Sequence, residues 1–478
     1  MVAKSPEPFG RRRNPGAVFL LPPSLVRVGA LRNIFIFGAL MGVSDRFVSQ
    51  RVAIVGSGIS GLAAAHALHG HADLTLFESA DYFGGHTHTV DVTLPGAHGP
   101  VAHGVDTGFL VFNERTYPNL IKLLADLKVE TAKSDMSFSV QVPRTGGQQL
   151  EWSGSSLNTV FAQRKNLLNA QFLRMLKDIL RFNRITTDIA HSKAESAMMQ
   201  PLSAFLSDQK FSNEFRDWYF LPMMGCIWSC PTDQMLQFPV ATMIRFCYNH
   251  GLIQVTNRPQ WWTVKGGAKH YVEKIVANIS DKRLNTPVRR IVRDSTGVQI
   301  TTDAGTEQFD KVVLATHSDQ SLAMLQAPSA AEQQALGAIR YQPNRAVLHT
   351  DTSVLPQKKI AWAAWNYERA EQAGRESAQV CLHYLLNMLQ PLPFTQSVVV
   401  SLNPLKEIAR EHIMAEFDYA HPVFDLAAIR AQEEIAALQG QHNTYFCGAW
   451  TGYGFHEDGL KSGLNVAEQI LKIQKVAA

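Results

Sequence analysis

From Arg51 onward the chain alternates short apolar runs with stretches of helical periodicity. Val52-Ala53-Ile54-Val55 is wholly apolar, the pattern of a parallel strand buried on both faces. Apolar positions then recur at Ile59, Leu62, Ala63 and Leu68, a helical period that stops at Gly70, and Leu74-Thr75-Leu76-Phe77 predicts a second buried strand. Near the other end, Thr444-Tyr445-Phe446-Cys447 reads as a strand, and Leu460, Leu464, Ala467 and Leu471 mark one face of a last helix. A helical run through Tyr271, Ile275 and Ile279 precedes strand-like segments at 288–291, 298–300 and 311–315. Residues 166–186 predict an amphipathic helix and 202–230 a second, aromatic-rich helical stretch. Segments 347–349, 361–365, 380–384 and 398–402 predict further strands, with no internal repeat and no low-complexity stretch.

What joins the first strand to the first helix carries chemistry. Gly56-Ser57-Gly58-Ile59-Ser60-Gly61 stands between them, and each glycine has a mechanical reason. Gly56 allows the tight turn, Gly58 lets a backbone N–H approach a diphosphate, and Gly61 lets the helix pack close to the strand. The start of the helix, with Ile59 and Ser60, offers unpaired N–H groups and the positive end of the dipole. Glu78 closes the second strand 22 residues after Gly56, where an acid can accept hydrogen bonds from an adenosine ribose, with Ser79 beside it. Strand, glycine turn, helix, strand and acid in that order predict a dinucleotide site. NAD and FAD both satisfy it, whereas Glu78 would repel the 2′-phosphate of NADP. Gly84-Gly85-His86-Thr87 follows, and a glycine pair there lets the chain run close along a diphosphate.

With these residues the sequence resembles the superfamily of flavin amine oxidases, carotenoid desaturases and protoporphyrinogen oxidases, most nearly bacterial NAD/FAD-binding proteins with a Gly-Gly-His-Thr motif. The carboxyl end carries the same resemblance through Gly448-Ala449-Trp450-Thr451-Gly452 and Asp458-Gly459-Leu460-Lys461-Ser462-Gly463. Gly459 and Gly463, four apart, share a helix face that a flat ring could approach. The resemblance implies FAD as cofactor and Gly448 and Trp450 in the turn at its ribityl chain. It also implies that Gly459 and Leu460 face the ring through their backbone, and that Val288 meets the adenine. Two positions depart from the family pattern: His86 replaces the usual Arg, and Ala449 replaces an acid. Lys265, in Thr263-Val264-Lys265-Gly266-Gly267, reads equally well as a solvent-exposed loop residue or a flavin-side group.

The implied fold is α/β: a Rossmann-like FAD-binding domain of the amine-oxidase type, interrupted by a discontinuous α+β substrate domain. FAD-binding segments are expected at 51–135, 241–325 and 441–478, and substrate-domain segments at 136–240 and 326–440. Residues 1–50 read as a disordered or mis-assigned extension. They hold seven basic and two acidic residues, a balance of +5, so the other 428 residues sum to −1 and nothing points the body toward nucleic acid. The apolar run from Ile34 to Val43 falls short of the roughly 20 residues a bilayer requires, which leaves peripheral contact of this tail with the inner membrane beside a cytoplasmic location. Five cysteines, Cys226, Cys230, Cys247, Cys381 and Cys447, read as buried thiols, and no metal site is assigned; the pair His86/His88 lacks a third ligand.

Aromatic side chains at Trp261, Trp262, Trp362, Trp365 and Tyr367 suit either core packing or a cavity for an apolar substrate. The expected activity is FAD-dependent oxidation or desaturation of an apolar small molecule or lipid, a link to modified fatty acids being implied by the resemblance alone. Flavin amine oxidation, a non-redox isomerase on the same scaffold, and a flavin-binding module without chemistry remain alternatives. The sequence assigns no catalytic residue and no oligomeric state.

Overall fold

The computed structural model describes residues 49–144, 147–192, 198–254, 258–294, 296–370 and 380–477. Apart from Ser49 and Gln50, the amino-terminal extension of the sequence reading lies outside the described residues. Ser49–Ala478 form one compact unit.

The apolar runs at both ends and in the middle meet in one five-stranded parallel sheet. Its order is Asp281–Arg283, Asp73–Phe77, Arg51–Val55, Lys311–Leu314, Thr444–Phe446. Arg51–Val55 sits centrally, in register with Leu74 to Phe77 on one side and Lys311 to Leu314 on the other. Burial on both faces explains the apolar runs of the three central strands, whose charged residues Arg51, Asp73 and Lys311 stand at their first positions, whereas the edge strand Asp281–Arg283 is charged throughout. The last helix, His456–Ala477, packs on the first, Ile59–Leu68. Gly463 permits the close crossing: a Cβ there would lie 2.1 Å from the Ser60 carbonyl oxygen.

A second sheet of seven strands is ordered Ile413–Val423, Arg340–His349, Val399–Leu402, Cys381–Leu385, Trp365–Glu368, Phe138–Pro143, Gln149–Ser153. All its strands come from the segments assigned by sequence to the substrate domain. The predicted strand at 361–365 is instead a 3-10 turn, Lys359–Ala361, with pairing only from Trp365. Asn366 explains it: its side chain accepts from Ala363 N at 3.0 Å and donates to Ala363 O at 2.6 Å, folding that stretch into a tight turn. The helix expected over 166–186 is a 3-10 turn, Arg164–Leu168, followed by Ala170–Ser192. The stretch 202–230 divides into Leu202–Asp208, Asn213–Phe215, a π turn Arg216–Phe220 and Leu221–Trp228. Lys210, at φ 51°, and the Ser212 cap make the break. Among the described residues no helix is long and apolar enough to cross a membrane.

Candidate functional site

A cavity of about 1020 Å³ runs from the carboxyl ends of the parallel strands to the second sheet, at the upper limit of ordinary ligand sites. Its near end is the glycine turn. Gly56 adopts φ +98°, open mainly to glycine, and a Cβ there would lie 2.8 Å from the Ala315 carbonyl oxygen. Gly58 caps the first helix with no side-chain hydrogen bond, so the first-turn N–H groups have no side-chain cap. A Cβ on Gly58 would meet nothing within 4 Å. The protein therefore keeps open space beside a helix start, where a diphosphate fits.

Glu78 stands at the end of the second strand and organises this end. One carboxylate oxygen accepts from Ser57 N at 2.9 Å and Ser57 Oγ at 2.6 Å; the other accepts from Ala80 N at 2.9 Å. Ser57 Oγ in turn accepts from Gly84 N at 3.1 Å, which ties the glycine pair to the turn. A carboxylate keeps lone pairs beyond those used here, so Glu78 can still accept from a ribose. Thr286 N donates to the Glu78 carbonyl at 2.8 Å, bringing Pro287 and Val288 to the cavity wall.

Of the residues singled out by sequence, Gly56, Gly58, Ile59, Ser60, Glu78, Ser79, Gly84, Gly85, His86, Val288, Gly448 and Trp450 line this one cavity. Gly61, Gly459, Leu460 and Gly463 do not. A Cβ on Gly61 would fall 2.0 Å from the Gly56 carbonyl oxygen, and one on Gly459 would fall 2.7 Å from Ile59 Cγ2. The shared face of Gly459 and Gly463 is thus turned to the first helix, not to a ring: these glycines allow helix–helix contact. Lys265 also lies off the cavity, in an exposed ion pair with Glu130 at 2.8 Å.

The structure adds a histidine cluster assembled from four distant segments. His86 has its ring 5.3 Å from that of His421 and 6.3 Å from that of His317, and His456 lines the same cavity. Burial, reinforced by neighbouring imidazoles, lowers His86 and His317 to about 4 and His421 and His456 to about 3, so all four are neutral at pH 7. His86 Nε2 is buried with no partner. An orphaned donor or acceptor in such a place costs free energy unless a ligand meets it. His456 Nε2 lies 2.7 Å from Tyr271 Oη, which is 2.5 Å from Thr87 Oγ1. His421 escaped the sequence reading; the alternation Phe417, Tyr419, His421 along one strand was the available signal.

The far lobe is apolar, walled by Leu110, Met136, Ile227, Phe246, Leu252 and Trp365. His250 is its principal polar group. Its Nδ1 is 3.0 Å from the Phe246 carbonyl, to which it must donate, so Nε2 keeps its lone pair. Trp365 and Tyr384 meet edge to face, with centroids 4.8 Å apart.

Behind the sheet, Glu368, Cys381 and His383 bring three candidate ligand atoms within 4.8 Å of one another, a grouping the sequence reading did not foresee. A hydrogen-bond chain accounts for it. Asp351 N donates to His349 Nδ1 at 3.1 Å, His349 Nε2 is 2.7 Å from Ser401 Oγ, and Ser401 Oγ is 2.7 Å from His383 Nδ1. The backbone donor at one end orients every later proton, placing one on His383 Nε2, 3.1 Å from Glu368. In that arrangement His383 donates to the carboxylate and has no lone pair for a cation. Cys381 and His383 alternate along their strand with Tyr384, which lines the cavity, so the chain lies on the opposite face. All five cysteines are buried and free of disulfides.

Fold and cradle together define a dinucleotide-binding flavoprotein. The chain belongs to the family of flavin-containing amine oxidoreductases, whose model matches residues 59–471, and its cofactor is accordingly FAD. AofH of Mycobacterium tuberculosis, a protein named for flavin-containing monoamine oxidase activity, is 25% identical over 278 residues, or 55% of this chain. The matched region spans 56% of that relative, little more than half its length. A fatty acid isomerase from P. acnes that produces CLA is similar in structure, with TM-score 0.60 and 17% identity over 88% of this chain and 98% of that one. Cyclohexylamine oxidase from Brevibacterium oxydans gives TM-score 0.63 and 17% identity over 89% and 100%. At such identities these structures establish the fold alone.

Proposed function

We propose that the protein is an FAD-dependent oxidoreductase that removes hydride from an apolar, uncharged substrate such as a fatty-acyl chain. The observation that carries this reading is the far lobe, whose walls present no ionised side chain. The acidic residues on the cavity wall are Glu78, engaged at the glycine turn, and the exposed Asp319 and Asp418. A cationic amine would have to leave water for a lobe without a counter-charge, at a cost of several kcal/mol. Nor do Trp365 and Tyr384 leave a slot between parallel rings for an ammonium, since they touch each other.

In this reading the glycine turn and the first helix hold the diphosphate of FAD, Glu78 the ribose, and the Val288 segment the adenine. Gly448 and Trp450 border the ribityl chain, and His86 lines the wall beside the cofactor. Bound FAD supplies a hydride acceptor. The chain's own work is to orient a C–H bond, exclude water with apolar walls, and take up a proton. The Phe246 carbonyl fixes the lone pair of His250 on Nε2, but burial lowers this histidine to about 4, so it lines the lobe as a neutral, weakly basic group. The fatty acid isomerase of the same fold supports acyl chains as substrates. A second reading, amine oxidation, draws on AofH and cyclohexylamine oxidase.

The test is anaerobic titration of the purified flavoprotein. Fatty-acyl lipids should bleach the flavin while polyamines and primary amines leave it oxidised. Bleaching by an amine alone would replace this reading by the second. Bound flavin that none of these reduces would leave a binding module.

A further inference from the structure

Five of the eight exposed large hydrophobic side chains among the described residues fall within residues 157–180. Leu167 and Leu168 end the 3-10 turn Arg164–Leu168, and Leu168 is 93% exposed. The helix Ala170–Ser192 follows after one residue. Its inner face, Phe172, Met175, Phe182 and Thr186, is buried. Its outer face carries Leu173 and Leu180, two turns apart, with Leu180 61% exposed. A soluble surface that presents leucines in one stripe marks an interaction site.

Charge identifies the partner. Residues 164–192 hold six basic side chains, Arg164, Lys165, Arg174, Lys177, Arg181 and Arg184, against two acids, Asp178 and Asp188. Asp178 is turned inward, where it accepts from Ser212 N at 3.0 Å and pairs with Arg181. At 100° per residue, Lys177 and Arg184 fall on the stripe of Leu173 and Leu180. Arg164, Lys165, Lys177 and Arg184 are exposed and make no ion pair among the described residues. A local excess of +4 thus stands on a body whose 428 residues sum to −1. Leucines interleaved with unpaired cations suit acyl chains below and phosphates above.

We infer that the turn 164–168 and the outer face of the helix Ala170–Ser192 dock on a bilayer surface carrying anionic phospholipid. The inner face of this helix packs on Val240–Asn249, whose Phe246 lines the apolar lobe. Docking therefore places the lobe one helix away from the lipid. The inference does not depend on the substrate reading, because binding is measured without turnover.

The experiment is co-sedimentation of the full flavin-loaded chain with vesicles of phosphatidylglycerol and phosphatidylethanolamine, against pure phosphatidylcholine. Binding should require the anionic lipid and weaken with salt. Each basic residue at such a surface is worth about a five-fold change in partition, so Lys177→Gln with Arg184→Gln should weaken binding about 25-fold. Leu168→Asp with Leu180→Asp should abolish it, with flavin content and melting temperature kept. Indifference of the wild type to anionic vesicles would overturn the inference. So would wild-type binding by both double variants, which would assign the contact to residues 1–48. A wild-type dimer that the leucine variants convert to monomer would overturn it too, by making the stripe an interface between copies.

Discussion

Gly58→Val separates what the glycine turn does for the fold from what it does for the cofactor. Gly58 has φ −61° and ψ 175°, a conformation open to any residue, and a Cβ there meets nothing within 4 Å. Folding should tolerate the change, and replacing glycine should stabilise the flavin-free protein by about 0.4–1 kcal/mol through the unfolded chain. The added side chain fills space beside the helix start where the diphosphate belongs. Displacing one or two charge-assisted hydrogen bonds, each worth about 1.5–3 kcal/mol, should weaken FAD roughly ten-fold to ten-thousand-fold. Gly61→Ala is the contrasting control. Its Cβ would fall 2.0 Å from the Gly56 carbonyl oxygen, so backbone must move, at about 1–3 kcal/mol or more. The assay is flavin content by visible absorbance, together with melting temperature of the flavin-stripped proteins. Gly58→Val should lose flavin and keep its melting temperature, and Gly61→Ala should lose stability first. A Gly58→Val protein purified with stoichiometric FAD would refute the assignment of the diphosphate to this turn.

His86→Leu should stabilise the flavin-free protein by about 1–3 kcal/mol, by removing a buried nitrogen without a partner, while weakening FAD; parallel changes in both would deny His86 a cofactor role. The five cavity histidines, His86, His250, His317, His421 and His456, are lowered from 6.5 toward 3–4, so between those values the unfolded chain binds the more protons. Their contribution is complete above pH 6.5 and lost as pH falls toward 4, each by up to about 2 kcal/mol on going from 6.5 to 5. Melting temperatures of the flavin-free protein should accordingly decline below pH 6.5, and a flat profile down to pH 5 would contradict neutral burial. Lys265→Ala should leave flavin content and spectrum unchanged, because its ion pair with Glu130 is exposed and off the cavity; a spectral shift would return Lys265 to the flavin.

Most of the near end of the site was legible in the sequence because its rules are local. A buried parallel strand must be apolar, a turn with φ +98° favours Gly56, and an acid must end the second strand; all three conditions lie within 30 residues of one another. The same locality misled at Gly459 and Gly463. Spacing shows that two glycines share a helix face, but not whether that face meets a ring or, as here, Ile59 and Ser60 of another helix. Lys265 posed the same difficulty, since a glycine-flanked lysine looks alike whether its partner is a cofactor or Glu130.

By itself, the sequence determined four of the five strands of the parallel sheet and the glycine turn between the first strand and the first helix, since periodicity and steric demands act over a few residues. The tertiary structure alone decided that His86, His317, His421 and His456 face one cavity, and that the far lobe carries no charge. It also decided that the leucines of the helix Ala170–Ser192 face outward. Which side chains meet across hundreds of residues depends on strand register and helix packing, and no local pattern encodes those.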